Sequence, residues 1–243
     1  MYPLESSSSS TELGLKGENT AAVFDNNKDK LIDYVDPDSF SNVSNIHLIP
    51  QKGILSDVIT KWLVYLGVAS DIKTNDKGKI GHELKITNDI EGMPQDLTHV
   101  GVGVSQILPI LVMCLLSNKG DSIILEQPEL HLHPKVQSRL ADFFVSINAL
   151  GKQCILETHS EYLINRLRYL VAKTEDSSIA EDTIIYFVEK KEGCSNYRKV
   201  IINPYGVIER WPDGFFDESE DLASMIVKAG IEKKRRMMQN KNL

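Results

Sequence analysis

The sequence predicts an α/β protein in which a partial parallel sheet is flanked by helices and followed by a small C-terminal α+β extension. Two short β-branched runs, 121–125 and 153–157, have the apolar character of buried strands. Each is followed by a segment that we predict to be a helix, 134–150 and 160–173. This strand–helix–strand–helix order indicates a parallel sheet, because parallel strands need a long crossover that packs on one face.

Composition and charge narrow the class of protein. The 243 residues include 27 Lys and Arg against 34 Asp and Glu, a formal net charge of -7, and 42% are hydrophobic. These values exclude a wholly disordered chain and disfavour a surface coated with basic charge for nucleic acid. The three cysteines form no CxxC pair, which disfavours a zinc site or a disulfide framework. With neither a signal-peptide pattern nor an apolar run long enough for a bilayer, we predict a cytoplasmic protein without membrane contact.

The region before the predicted sheet is less regular. Residues 1–50 show little pattern and are predicted to be irregular surface. Apolar residues recur at helical spacing over 54–66, and Gly67 is the expected stop of that helix. The polar stretch 70–82 is predicted to be a loop, and 84–86 a short strand.

Further elements are predicted on either side of the sheet. Residues 105–116 read as a buried helix after a Gly-rich turn, and 183–188 with 199–202 as a hairpin around Gly193. The last helix is predicted over 218–239 as an amphipathic helix. Its side chains that we expect to face inward are Leu222, Met225, Ile226 and Ala229.

The first candidate site lies at the start of the helix at 105–116. Gly101 and Gly103 permit close backbone approach, and a helix N-terminus offers unpaired N–H groups to a phosphate. Ser105 and Gln106 follow as polar side chains. The alternative is a tight turn capped by Ser105. A dinucleotide fingerprint is excluded, because Gln106 stands where its third glycine would be.

The second candidate site lies where the two predicted strands end, the edge at which parallel sheets place their sites. The first strand ends in Glu126 and Gln127, and a carboxylate there can hold Mg²⁺ directly or through water. The second strand leads to His159, just before a helix cap. A Ser/His/Asp hydrolase is the rival, but the sequence contains no Gly-x-Ser-x-Gly elbow.

A metal cluster is an alternative use of the same region. Glu129, His131 and His133 alternate, so they would share one face if the strand continued, as in a metal-dependent nuclease. Pro128 and Pro134 favour a loop instead.

Taken together, the three segments resemble ABC-type ATPases of the broad SMC/RecF-like group of AAA-family ATPases. They are most similar to bacterial members with an uncharacterised C-terminal domain, some of which lie near anti-phage defence genes. The resemblance spans about residues 12–220 and includes 14–20 and 211–216. It implies a P-loop NTPase-like fold, ATP and Mg²⁺, a dimeric ATP site, and a function in anti-phage defence or DNA metabolism.

The resemblance also implies roles for single residues. Glu126 falls at the Walker B position, which binds Mg²⁺ through water, and Gln127 falls where the catalytic glutamate usually stands. His159 falls at the switch histidine that senses the γ-phosphate, and His133 falls in the D-loop. Residues 101–106 look like a variant signature motif, which caps a nucleotide held by the opposite protomer.

Gln127 departs from the family pattern, because an amide cannot take a proton from water. Glutamine can still orient the attacking water, as it does in some GTPases. Glu129 or His159 could assist the reaction.

The phosphate-binding loop is a second departure. No Gly-x-x-x-x-Gly-Lys-Ser/Thr occurs in the sequence, although that loop supplies the N–H nest, the lysine and the hydroxyl for nucleotide phosphates and Mg²⁺. We therefore expect the C-terminal portion of an ATPase that needs a P-loop from an N-terminal segment or a partner. The expected division is an irregular segment at 1–50, the ATPase lobe at 51–180, and C-terminal strands with a helix at 181–243.

Other hypotheses stay open at this point. Gln127 and the missing P-loop also suit a catalytically inactive regulatory or scaffolding paralogue. The partner is a second copy or a P-loop-containing ATPase. DNA contact would fall on the basic run at 233–236, although such runs are usually solvated helix faces.

Overall fold

The chain is an α/β protein, as predicted. The computed structural model describes residues 13–14, 17–41, 46–76, 82–87, 95–96, 102–175, 177–209, 212 and 218–239. Within these ranges, α-helices alternate with strands that form four small sheets.

The N-terminal part contains more regular structure than its sequence predicts. Helix α1 spans Thr20–Asn27, strand β1 spans Leu31–Val35, and a 3₁₀ helix spans Pro37–Phe40. Strand β2, Pro50–Ile54, pairs antiparallel with β1. The prediction of irregular surface over 1–50 is therefore wrong for these elements. Strand β1 buries Ile32, Tyr34 and Val35, but so short a pattern is too weak to stand out in a polar stretch.

Helix α2, Leu55–Leu66, is the predicted amphipathic helix. It ends at Gly67, whose backbone has a φ of 75° and whose N–H donates to the carbonyls of Leu63 and Val64. Glycine adopts this left-handed conformation without the steric cost that a Cβ brings, which explains why the helix stops there.

A three-stranded antiparallel sheet follows. Strands β3, Asp71–Asp76, and β5, Gln95–Asp96, flank β4, His82–Thr87. The short strand predicted at 84–86 is confirmed, whereas the loop predicted over 70–82 is wrong for 71–76 and 82; residues 77–81 lie outside the described residues. The polar composition of β3 conceals a strand that forms through its ladder with β4.

The predicted central region is confirmed in element order and in sheet type. It comprises α3, Val102–Leu116; β6, Ser122–Glu126; α4, Pro134–Ala149; β7, Gln153–Glu157; and α5, Glu161–Lys173. Strands β6 and β7 pair in parallel with their ends level. The helix α4 between them provides the crossover that a parallel pair needs.

The parallel pair buries one face only, so the prediction of fully buried strands is wrong. Ile123 faces the core and is 6% exposed. On the other face Ile124 is 71% exposed and Ile155 is 48% exposed. Nothing in the described ranges covers that second face, although parallel sheets are normally covered on both faces.

The core is densest where α2, α4 and α5 meet. The rings of Trp62 and Phe143 are fully buried and pack edge to face, with centroids 5.0 Å apart. Beside them the buried Asp142 accepts hydrogen bonds from the Tyr65 hydroxyl at 2.6 Å and from Arg166 Nε at 2.8 Å. Burial raises the pKa of Asp142, while the hydrogen bonds from Arg166 and Tyr65 oppose that rise.

The C-terminal part contains the predicted hairpin around Gly193, but the bounds predicted for its strands, 183–188 and 199–202, are wrong. After the short helix α6, Ser178–Glu181, strands β8, Ile185–Lys191, and β9, Cys194–Val200, pair antiparallel. The two-residue turn at 192–193 has positive φ at both positions, 53° and 82°, as tight hairpin turns require.

The final helix α7, Glu218–Gln239, has the predicted bounds but not the predicted packing. Leu222, Met225, Ile226 and Ala229 are exposed, so the expectation that they face inward is wrong. Among the described helices, none combines the length and apolar character of a membrane span.

We expect Phe143→Ala to lower the free energy of unfolding by about 3–5 kcal/mol, because it leaves a cavity against Trp62 in a fully buried site. Chemical denaturation measures the loss. Val64 lies on the exposed side of α2, so Val64→Ala should change stability by no more than about 0.5 kcal/mol. Equal losses in both variants would contradict this assignment of the core.

Candidate functional site

The candidate site forms at the C-terminal ends of β6 and β7. Glu126 and Glu157 are register partners across the parallel pair, and both are exposed. The N–H of Gln127 donates to the Glu157 carbonyl at 2.8 Å and so extends the ladder by one bond. Two carboxylates and one amide side chain therefore share one edge of the sheet.

The turn after β6 has a strained backbone. Gln127 has a φ of 45° and His131 a φ of 63°, although neither is glycine. The Leu130 N–H donates to the Gln127 carbonyl, and the Leu132 N–H to the Glu129 carbonyl, both at 3.1 Å. Left-handed non-glycine residues are costly and concentrate at functional sites, which supports a functional assignment for this turn.

Glu129 links this turn to the loop after β7. Its side chain is 6% exposed, and Oε1 accepts the His159 N–H at 2.7 Å. Oε2 is buried without a hydrogen-bond partner in the part of the chain that the structure describes. Glu129 therefore holds the backbone of His159 in place and lies away from the solvent-facing edge.

A second link joins the same two loops. Gln137 Nε2 donates to the Leu132 carbonyl at 2.9 Å, and the Ser160 hydroxyl donates to Gln137 Oε1 at 2.7 Å. Ser160 Oγ in turn accepts the Leu163 N–H at 3.2 Å, so it caps α5 as predicted. Movement of either loop would disturb the other through Gln137.

The two histidines of the turn do not form a metal cluster with Glu129. His133 caps α4, and its Nδ1 accepts the Lys135 N–H at 3.2 Å. His131 and His133 are exposed, whereas Glu129 is buried. In the described ranges no three His, Cys, Asp or Glu side chains lie close enough to hold a metal ion, so the structure gives the nuclease alternative no support.

The helix at the variant signature segment begins earlier in the chain than predicted. Helix α3 starts at Val102, so Ser105 lies in its first turn and does not cap it. Gly103 belongs to the same helical turn and not to a turn before the helix. Gly101 lies outside the described residues. A Cβ at Gly103 would lie 3.5 Å from Leu132 Cδ2, so the first turn of α3 lies close to the loop after β6. Ser105 is exposed and Gln106 is half-buried.

The structure thus joins most of the residues proposed from the sequence. Glu126 ends β6, and Gln127, Glu129 and His159 lie on two loops that are bonded to each other. Glu157 and Gln137 were not predicted from the sequence as residues of this site. Glu157 was detectable, because each of two five-residue strands ends in Glu and parallel strands of equal length end together. No sequence signal marks Gln137, whose role depends on where α5 begins.

The donor set at this edge suits Mg²⁺. Like charges opposite each other on neighbouring strands, which lie about 4.8 Å apart, destabilise a sheet, and a divalent cation offsets that repulsion. Carboxylate oxygens are the ligands that Mg²⁺ prefers, and Mg²⁺ commonly binds through one or two carboxylates together with substrate phosphates. Glu126 and Glu157 are therefore the residues that would hold it.

We expect Glu129→Ala to accelerate amide exchange at His159 by about tenfold or more, because hydrogen bonds to charged groups contribute about 1.5–3 kcal/mol. Hydrogen–deuterium exchange resolved by NMR measures the rate. Glu129→Gln keeps an acceptor oxygen and should retain most of the protection. The control is Leu130→Ala, an exposed position in the same turn. Unchanged exchange at His159 in Glu129→Ala would contradict the assigned link.

Several solved structures are distantly similar. A structure from work on "ATP-driven dimerization and DNA stimulated activation of SMC ATPases" has a TM-score of 0.45 and 13% identity, covering 60% of this chain and 83% of that one. An Smc head bound to the C-winged helix domain of ScpA has a TM-score of 0.43 and 12% identity, covering 61% and 43%. A Pyrococcus furiosus Smc head with ScpA has a TM-score of 0.42 and 12% identity, covering 60% and 34%.

Sequence comparison assigns the family. No curated protein is significantly similar to the chain. The family model described as the AAA ATPase domain matches residues 6–164, and the model described as a protein of unknown function (DUF3696) matches residues 180–224. The two matches confirm the predicted combination of an AAA-family ATPase with an uncharacterised C-terminal domain. The first match covers more than half of the chain, and the chain therefore belongs to the AAA ATPase domain family.

Proposed function

We propose that the chain supplies the Walker B, signature and switch elements of a dimeric ATP site, acts in the cytoplasm, and works with a P-loop that its own sequence does not contain. The observation that supports this proposal is the edge formed by β6 and β7, where Glu126 ends β6 and the loops that carry Gln127 and His159 are bonded to each other. Membership of the AAA ATPase domain family makes ATP the substrate that this edge is proposed to serve.

Each residue at the edge has a distinct proposed task. Mg²⁺ would neutralise charge on the phosphate oxygens, and Glu126 with Glu157 would hold it. Gln127 would orient the attacking water through its amide and not as a base, because an amide takes no proton at neutral pH. His159 has its backbone fixed by Glu129 while its side chain is exposed, which suits contact with the terminal phosphate.

The signature and D-loop roles rest on position. Gly103 and Ser105 lie in the first turn of α3, and the start of a helix favours an anionic group. That turn lies close to Leu132, next to His133 of the proposed D-loop. We propose that this surface caps a nucleotide held by a second copy or by a P-loop-containing partner.

The open face of the parallel pair supports the need for a further element. Ile124 and Ile155 are exposed on it, and in the described residues no third strand joins β6 and β7. A P-loop lies at the end of a parallel strand that leads into a helix. Such a unit would supply both a strand for the sheet and a helix for its exposed face.

A regulatory or scaffolding role is the second candidate. It is favoured by Gln127, which lacks the carboxylate that hydrolysis ordinarily uses at this position. In that role the chain would sense or cap ATP without turnover. A function in anti-phage defence or DNA metabolism, including contact with DNA, rests on the family resemblance alone.

In an assembly that contains this chain and a P-loop, we expect Glu126→Gln to lower the ATP turnover number by about 100-fold, because loss of a group that holds transition-state charge costs about that much. A steady-state phosphate-release assay measures turnover. Glu175→Gln, an exposed glutamate beyond the end of α5, is the charge-matched control and should leave turnover unchanged. Tight Mg-ATP binding and hydrolysis by residues 1–243 alone would contradict the requirement for an added P-loop.

Two further variants separate the active from the scaffolding role. If Gln127 orients water, Gln127→Glu should raise turnover by supplying a base, and His159→Ala should lower it by about 100-fold. Both are measured in the same assembly, with nucleotide affinity determined separately. If neither variant alters turnover, the active role is wrong and the scaffolding role is supported.

A further inference from the structure

Helix α7 presents apolar side chains to solvent along much of its length. Every side chain of this helix whose exposure the structure describes is exposed. Leu222 is 52% exposed and Ile226 is 69% exposed, and Met225, Val227 and Ile231 are also exposed. Apolar surface of this extent on one helix marks an interaction site, because burial of apolar area is favourable.

The charges of α7 are separated along its axis. Its first half, 218–228, contains Glu218, Glu220 and Asp221 and a single basic residue, Lys228. Its second half, 229–239, contains one acidic residue, Glu232, and the basic run at 233–236. The helix is thus acidic at its beginning and basic towards its end, with the exposed apolar residues between.

We propose that α7 pairs antiparallel with α7 of a second copy of this chain. A two-fold axis near Val227 places position 218 opposite 236 and position 221 opposite 233, so the acidic start of each helix lies level with the basic run of the other. The same register places 222–227 of each copy beside 227–232 of the other, so the exposed apolar residues between 222 and 231 lie within the contact. An interface of this kind is self-complementary, as two-fold symmetry requires.

Gly230 and the dimensions of the helix are consistent with this pairing. A helix of 22 residues is about 33 Å long, so the contact runs over several turns. Gly230 lies beside the apolar stretch, and a Cβ there would meet nothing within 4 Å. A small residue at that position lets a second backbone approach closely.

The separation of charge along α7 favours a second copy of the chain over nucleic acid or an anionic membrane as the partner of this helix. Nucleic acid and anionic membrane surfaces attract basic residues and repel acidic ones. The acidic turns at 218–221 would therefore oppose either surface. Membrane-surface helices also carry aromatic residues on the apolar face, and none occurs between 218 and 239.

The proposed pairing is independent of the ATP site. It uses neither the edge of β6 and β7 nor the start of α3, so it requires no nucleotide. It would tether two copies through their C-terminal helices whether or not ATP joins them elsewhere. Loss of dimerisation and loss of ATP turnover are therefore separate experimental outcomes.

Sedimentation equilibrium of residues 1–243 without nucleotide tests the proposal. We expect a mass approaching about 55 kDa at concentrations of about 100 µM, twice the 27.3 kDa of one chain. Ile226→Asp should return the mass to that of one chain. Val64→Asp places the same charge on an exposed site of α2 and should leave the dimer intact.

Charge reversal tests the antiparallel orientation. Reversal of the acidic end alone, with Glu218→Lys, Glu220→Lys and Asp221→Lys, should weaken the dimer at least tenfold. Reversal of the basic end alone, with Lys233→Glu, Lys234→Glu, Arg235→Glu and Arg236→Glu, should do the same. Both reversals in one chain should restore it, because each end again meets its opposite.

Three results would overturn the proposal. The first is a wild-type chain that stays monomeric at about 100 µM, well above the micromolar range expected for a weak specific dimer. The second is a doubly reversed chain that remains monomeric. The third is a monomeric chain whose basic run binds duplex DNA or anionic vesicles with steep salt dependence, which would assign the helix to those partners.

Discussion

The level, parallel pairing of β6 with β7 is the constraint on which the candidate site depends. Because the two strands end together, the turn at 127–131 and the loop at 158–160 leave the sheet side by side. The bond from the Gln127 N–H to the Glu157 carbonyl carries the ladder one residue past the strands. A slip of one residue would turn Glu126 to the core face and separate it from Glu157.

The two links between these loops differ in the type of side chain that forms them. Glu129 uses a buried carboxylate to hold one backbone N–H, and its second oxygen is without a partner in the described residues. Gln137 uses both ends of a neutral amide, donating to Leu132 and accepting from Ser160. The carboxylate gives a strong bond at a high cost of burial, whereas the amide has a partner at each end. Together they hold the two loops in a fixed arrangement.

The parallel pair is buried on one face and exposed on the other. Trp62, Phe143 and the Asp142 network join α2, α4 and α5 to one another. The outer face and helix α7 instead present apolar side chains to solvent. The proposed partners of these two surfaces differ: an ATPase element for the sheet face and a second copy for the helix.

The sequence by itself determined the order of elements in the central region and pointed to Glu126, Gln127, Glu129 and His159, but not to Glu157 or Gln137. Apolar periodicity, Pro134, Ser160 and Gly67 act locally, so they are readable without a fold. Only the tertiary structure decided that β3 is a strand, that one face of β6 and β7 is exposed, and that Glu129 holds His159. Each of these depends on which segments meet in space: a polar strand forms by pairing, exposure depends on what packs against a face, and a carboxylate's role depends on the donor that reaches it.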